Sequence, residues 1–229
     1  MSRPAVDSFG LALPPEWVCL PLDAPAFERF ARQQRRTLAD RGELSRPAQR
    51  RHELVIRQLR NDCVRQGVTL AAVFATPLDA GAGQAPDLLA ATCTLSTLTQ
   101  TGLATDLPLT VHTILAATSR TDRGDTADIA DLEPPAAVDL PGGPAVKLVR
   151  MHRVGGDNAD GTSGVRLLAE HFLVPYDQGR RAAALTFATP NIEFAGPLRA
   201  LFDELANTLR LFAGDDPTDP TPPVGGDAA

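Results

Sequence analysis

The stretch DLLAATCTLSTLT, residues 87–99, constrains the fold more than any other part of the chain. Leu89, Ala91, Cys93, Leu95 and Thr97 alternate with Ala90, Thr92, Thr94, Ser96 and Leu98. A period of two places the first set on one face of a strand and the second set on the other. Such a strand belongs to an antiparallel sheet with one buried face. VTLAAVFATP, stopped by Pro77, reads as a neighbouring strand, and so do AAVDL, AVKLVRMHRV, VRLLAEHFLVPYD and RAAALTFATP. DQGR, between the last two, reads as a hairpin turn. Leu11–Leu13 and Trp17–Leu20 read as two short strands bent at Pro14–Pro15, with the single tryptophan anchoring the corner.

Helices interrupt this pattern at three places. After Asp23, an N-cap residue, Phe27, Phe30, Ala31, Gln34 and Leu38 recur at helical spacing up to Gly42. Ser45 caps a second helix with the stripe Val55, Ile56, Leu59 and Cys63, ended by Gly67. Together they predict a helical hairpin over 25–66. A closing helix is predicted from AGPLRALFDELANTLRLF, whose stripe is Leu198, Leu201, Phe202, Leu205, Leu209 and Phe212. DLPLTVHTILAATSR favours a short helix, and residues 121–135 read as an acidic loop. The expected organisation is a flexible 1–7, one α+β domain over 8–212, and a disordered tail rich in proline and aspartate over 213–229. The fold class is therefore an antiparallel β-sheet packed against helices, with an N-terminal helical hairpin.

No motif brings catalytic chemistry. PGGP, Pro141–Pro144, lacks the spacing of a phosphate loop, and a strand follows it where an anion site needs a helix N-terminus. Gly142–Gly143 is read as a tight turn. The histidines His52, His112, His152 and His171 show no ligand spacing and lie far from any cysteine, so neither a metal nor a cofactor is expected. His152 and His171 meet only if their strands pair, with Glu170 nearby. Neither a nucleophile elbow nor an assignable general acid or base is present, so no catalytic residue is named. Cys19, Cys63 and Cys93 stand far apart in apolar contexts and read as buried free thiols.

Charge carries the one functional-looking signal. The net charge of −6 disfavours a generic nucleic-acid binder. Yet residues 25–65 hold eleven arginines against five carboxylates, a net of +6, which leaves −12 on the rest. Arg50, Arg51, Arg57, Arg60 and Arg65 fall mostly off the apolar stripe of the second helix. Read functionally, Arg50, Arg51, Arg57 and Arg60 dock an acidic protein partner or the acidic tail; read blandly, they are a solvated helix face. Lys147 is the only lysine, and the abundance of Arg, Ala, Pro and Gly together matches a GC-rich coding bias. No apolar run has the length of a membrane span, and MSRPAVDSFGLALPPEW has no apolar core of signal-peptide length, so a cytoplasmic setting is expected.

Three turn and core motifs, LPPEW (Leu13–Trp17), LPGGPAV (Leu140–Val146) and FATP (Phe187–Pro190), carry a resemblance. With the order of elements, they make residues 8–212 similar to the PsbP-like superfamily of α/β sandwiches, which includes DcrB-like and LpqN-like bacterial proteins. The likeness is greatest to uncharacterised actinobacterial members. The resemblance implies a binding or accessory role, often beside secretion or envelope systems, and no active site to carry over. The leading expectation is a non-enzymatic protein-interaction or accessory module. A small-ligand or lipid-binding module is the first alternative. An enzyme of unrecognised type, with polar residues gathered around His152, Glu170 and His171, is the second. A homodimer through sheet edges or the hairpin is open on this reading.

Overall fold

The computed structural model describes residues 6–41, 46–77, 88–99, 110–114, 129–154 and 165–213. In chain order these form β1 (Val6–Gly10), β2 (Val18–Cys19), α1 (Ala24–Arg41), α2 (Arg46–Arg65), β3 (Val68–Pro77) and β4 (Leu88–Thr99). A helical turn at 111–114, α3, comes next. β5 (Ile129–Asp131), β6 (Ala136–Leu140), β7 (Gly143–Val154), β8 (Val165–Tyr176), β9 (Arg181–Thr189), α4 (Ala195–Ala206) and β10 (Arg210–Ala213) complete the set. The main sheet runs β2-β3-β4-β9-β8-β7-β5, and β6 pairs with the same edge of β7 as β5. Every pairing is antiparallel, so the chain is an α+β protein built on one large antiparallel sheet.

Register sorts the side chains onto two faces. Ala72, Cys93, Phe187, Glu170 and Val149 lie in one row across five strands. The adjoining row, Ala71, Thr94, Thr186, His171 and Leu148, points the other way because successive residues alternate. α4 covers the first face with Leu198, Phe202, Leu205 and Ala206. The Phe202 ring stacks on Phe187 with centroids 5.0 Å apart and planes 9° apart. α1 and α2 cover the β3 end of the second face through Phe27, Ala31 and Cys63 over Ala71 and Leu20. Ile114 and Val111 of α3 sit over Val146, Leu148 and Ala182 on the same face.

The quoted motifs have structural jobs. Trp17 closes a turn onto the Pro14 carbonyl at 3.0 Å and packs against Phe74 and Phe187. Thr189 is fully buried; its hydroxyl donates to the Ala90 carbonyl at 2.7 Å and ties the end of β9 to β4. PGGP is a hairpin turn, with Leu140 opposite Gly143. Gly143 takes φ 128°, a backbone conformation that suits glycine. Gly142 is needed for closeness: a Cβ there would lie 2.7 Å from Leu211 Cδ1. DQGR also turns the chain, with Asp177, Gln178 and Gly179 all at positive φ.

Several expectations are corrected. The closing helix stops at Ala206, and Leu211 and Phe212 belong to β10, which pairs with β1. Asn207 and Thr208 are weak helix formers, and the Thr208 hydroxyl accepts the Ala12 amide at 3.0 Å, drawing the chain off to the N-terminal strand. Leu209 is fully buried, so it mimicked a continued helical stripe. The first strand starts at Val6, inside the segment read as flexible, and residues 11–13 carry no strand. β5 lies inside the segment read as an acidic loop. Cys19 is exposed, whereas Cys63 and Cys93 are buried as expected. Asp23 does cap α1, its Oδ1 accepting the Ala26 amide at 2.9 Å. Ser45, Gly42 and the residues joining α1 to α2 lie outside the described residues, as do residues 214–229.

If α4 anchors the first face, Phe202→Ala should cost about 3–5 kcal/mol, because it removes a fully buried ring from a packed stack. Urea unfolding checks this as a fall in midpoint at unchanged slope. Leu205→Asp should leave no folded protein, since it buries an unpaired charge; a soluble, folded L205D variant contradicts this placement of the helix.

Candidate functional site

The arginines singled out in α2 divide. Arg57 spans the helix pair: Nη1 meets Glu28 Oε1 of α1 at 2.5 Å and Nη2 meets Glu53 Oε1 at 3.0 Å. Arg35 of α1 completes the ladder, with Nη2 2.6 Å from Glu53. Hydrogen bonds from Arg57 hold the Glu28 and Glu53 carboxyls below their ordinary range. Arg60 donates from Nε and Nη2 to the Leu22 carbonyl at 3.0 and 2.7 Å. Both guanidinium groups also lie over the Phe27 ring, at 5.6 and 5.7 Å from its centroid. Arg57 and Arg60 therefore fasten α2 to α1 and the segment before it. Arg50 and Arg51 lie on α2, but their side chains are outside the described residues.

A different basic surface lies on α1. Arg29, Arg32 and Arg36 are exposed and spaced i, i+3, i+7, which places them on one helix face. None of the three forms an ion pair with another described residue. Periodicity alone could have found them, because Phe27, Phe30 and Ala31 already define the inward side of α1.

Under α4 lies a buried charge cluster. Glu170 of β8 is fully buried. Its Oε1 accepts from Arg199 Nε of α4 at 2.5 Å. Its Oε2 has no hydrogen-bond partner among the described residues, although Lys147 Nζ of β7 lies 3.4 Å away as a charge contact. Lys147 Nζ also meets Asp203 of α4 at 2.5 Å and lies 5.5 Å from the centroid of the Phe172 ring. Arg199 reaches on to Glu133 at 2.8 Å. Burial pushes the Glu170 carboxyl above its ordinary value, against the lowering pull of Arg199 and Lys147. The only lysine, set between Val146 and Leu148 in β7, was the sequence signal for this cluster.

The opposite sheet face holds a histidine pair. His152 Nε2 and His171 Nε2 lie 3.4 Å apart, and His171 Nδ1 lies 2.9 Å from Thr186 Oγ1. Arg150, beside them on β7, is paired through Nε with Asp131 at 2.6 Å. Burial, then the neighbouring His152, drives the His171 ring down to about 4. Burial, then Arg150, lowers His152 as well. The expected grouping of His152, Glu170 and His171 is thus corrected: the histidines meet, while Glu170 belongs to the other face, because it alternates with His171 along β8. Among the described residues no group of three or more His, Cys, Asp or Glu converges as a metal site. No described helix is long and apolar enough to cross a membrane.

No protein-family model matches the chain, and no curated protein matches it. Among solved structures it is similar to LpqN, involved in cell envelope biogenesis of Mycobacterium tuberculosis, with 12% identity, a TM-score of 0.45, and 92% of this chain and 84% of that one covered. It is also similar to the cyanobacterial PsbP of Synechocystis, with 15% identity, a TM-score of 0.34, and 65% of this chain and 88% of that one covered.

His171 supplies a pH test. Its ring is neutral in the fold down to about 4, but takes a proton near 6.5 in the unfolded chain. As pH falls, the unfolded chain binds that proton first, so this contribution to stability is complete above 6.5 and is lost between 6.5 and about 4. His171→Gln, which can still bond Thr186, should flatten the stability–pH curve in that window. Urea titrations at a series of pH values measure it, and an unchanged slope contradicts a neutral, half-buried His171.

Proposed function

We propose that the chain is a non-enzymatic accessory module that docks an acidic protein partner through the outer face of α1. One observation carries this reading: Arg29, Arg32 and Arg36 share an exposed face without an ion-pair partner among the described residues, while Arg57 and Arg60 are engaged within the helix pair. Arginine arrays suit acidic partners because the guanidinium fork bonds carboxylates bidentately. The non-enzymatic part is supported by the engagement of the buried Glu170 with Arg199 and Lys147. A nucleic-acid partner is disfavoured by the net charge of −6. The sequence resemblance adds an envelope- or secretion-associated role.

The test is capture from native lysate with the wild type and with an Arg29→Glu, Arg32→Glu, Arg36→Glu variant, repeated at rising salt. All three positions are exposed, so the fold should survive with changes within about 0.5 kcal/mol each, checked by circular dichroism. The expected result is an acidic protein that is recovered by the wild type, lost with the variant, and released by salt. Equal recovery by both baits contradicts the docking face.

A further inference from the structure

The histidine pair lies apart from the α1 surface and from the charge cluster under α4. We propose that His152 and His171 form an open site for a divalent transition-metal ion of the zinc class. The geometry is the first support. Two imidazole nitrogens bound to one tetrahedral zinc at about 2.0–2.1 Å stand about 3.3–3.4 Å apart. The two Nε2 atoms already stand at 3.4 Å, longer than an ordinary hydrogen bond between nitrogens.

The supporting shell is the second. A metal-binding histidine is usually held through its other ring nitrogen by a polar partner. Thr186 Oγ1 on β9 does this at 2.9 Å from His171 Nδ1. When Nδ1 donates to that hydroxyl, the Nε2 lone pair faces His152. Both rings stand on paired strands, and Ala169, the smallest side chain that β8 could offer there, occupies the position between His171 and Leu167 on this face. Arg150, beside the pair on β7, is matched by Asp131 at 2.6 Å. Two protein ligands leave the remaining positions of the ion to water or a small anion, so the site is exchangeable and weaker than a closed four-ligand site.

The probe is Zn²⁺ alone, titrated calorimetrically into the chelator-stripped full chain, with Co²⁺ as a spectroscopic stand-in whose visible absorption reports imidazole coordination. One ion per chain is expected. His152→Gln and His171→Gln should each weaken binding at least tenfold, and Thr186→Val about tenfold through the shell alone. His112→Gln should leave binding unchanged. The glutamines keep a polar group on this half-buried face, and thermal melts in chelator confirm that each variant is folded. Equal Zn²⁺ affinity in the wild type and in the His152→Gln, His171→Gln double variant overturns the site, as does a wild type that takes up no Zn²⁺.

Discussion

One carboxylate, that of Glu170, lies fully buried in the contact between the sheet and α4. An unpaired charge there would be intolerable, and a buried ion pair is stable only when its geometry and its remaining bonds are good. Arg199 bonds Oε1 from the helix side, and Lys147 faces Oε2 from the neighbouring strand as a charge contact without a hydrogen bond. Asp203 and Glu133 carry the network outward towards water. Apolar burial is non-directional and by itself sets no unique position for α4 along the sheet. The charge cluster accepts the one that brings Arg199 over Glu170. It therefore selects where the helix sits, while the Phe187–Phe202 stack and the leucines around it supply most of the driving force.

The same logic separates the interior from the exterior. Charges that face the core are paired with each other, and on α2 even Arg57 and Arg60 turn inward to Glu28, Glu53 and the Leu22 carbonyl. Arg29, Arg32 and Arg36 stay exposed on α1. The buried groups hold the scaffold together, and a set of basic groups is left outside.

Much of the fold was legible because strand alternation has a period of exactly two. The Leu89–Leu98 pattern marked β4, and the PGGP and DQGR turns were recognisable from glycine and proline. The end of the last helix was not legible. Leu205, Leu209 and Phe212 keep helical spacing across a break that Thr208 makes through a contact with Ala12, 196 residues away. Long-range contacts of that kind leave no local pattern. The candidate sites show the same divide. A basic segment was evident from composition, but which arginines face out depends on how α1 and α2 meet. The meeting of His152 with His171 followed from β7 pairing with β8, while the side of the sheet that holds Glu170 followed from its place in the alternation.

The most direct test of the clamp is a double-mutant cycle on Glu170 and Arg199, using Glu170→Gln, Arg199→Met and the pair together, with stabilities from urea unfolding. The account predicts that the double variant loses less than the two singles combined, with a coupling of about 1–3 kcal/mol. Singles that add to within about 0.5 kcal/mol would contradict it and leave the placement of α4 to apolar packing alone.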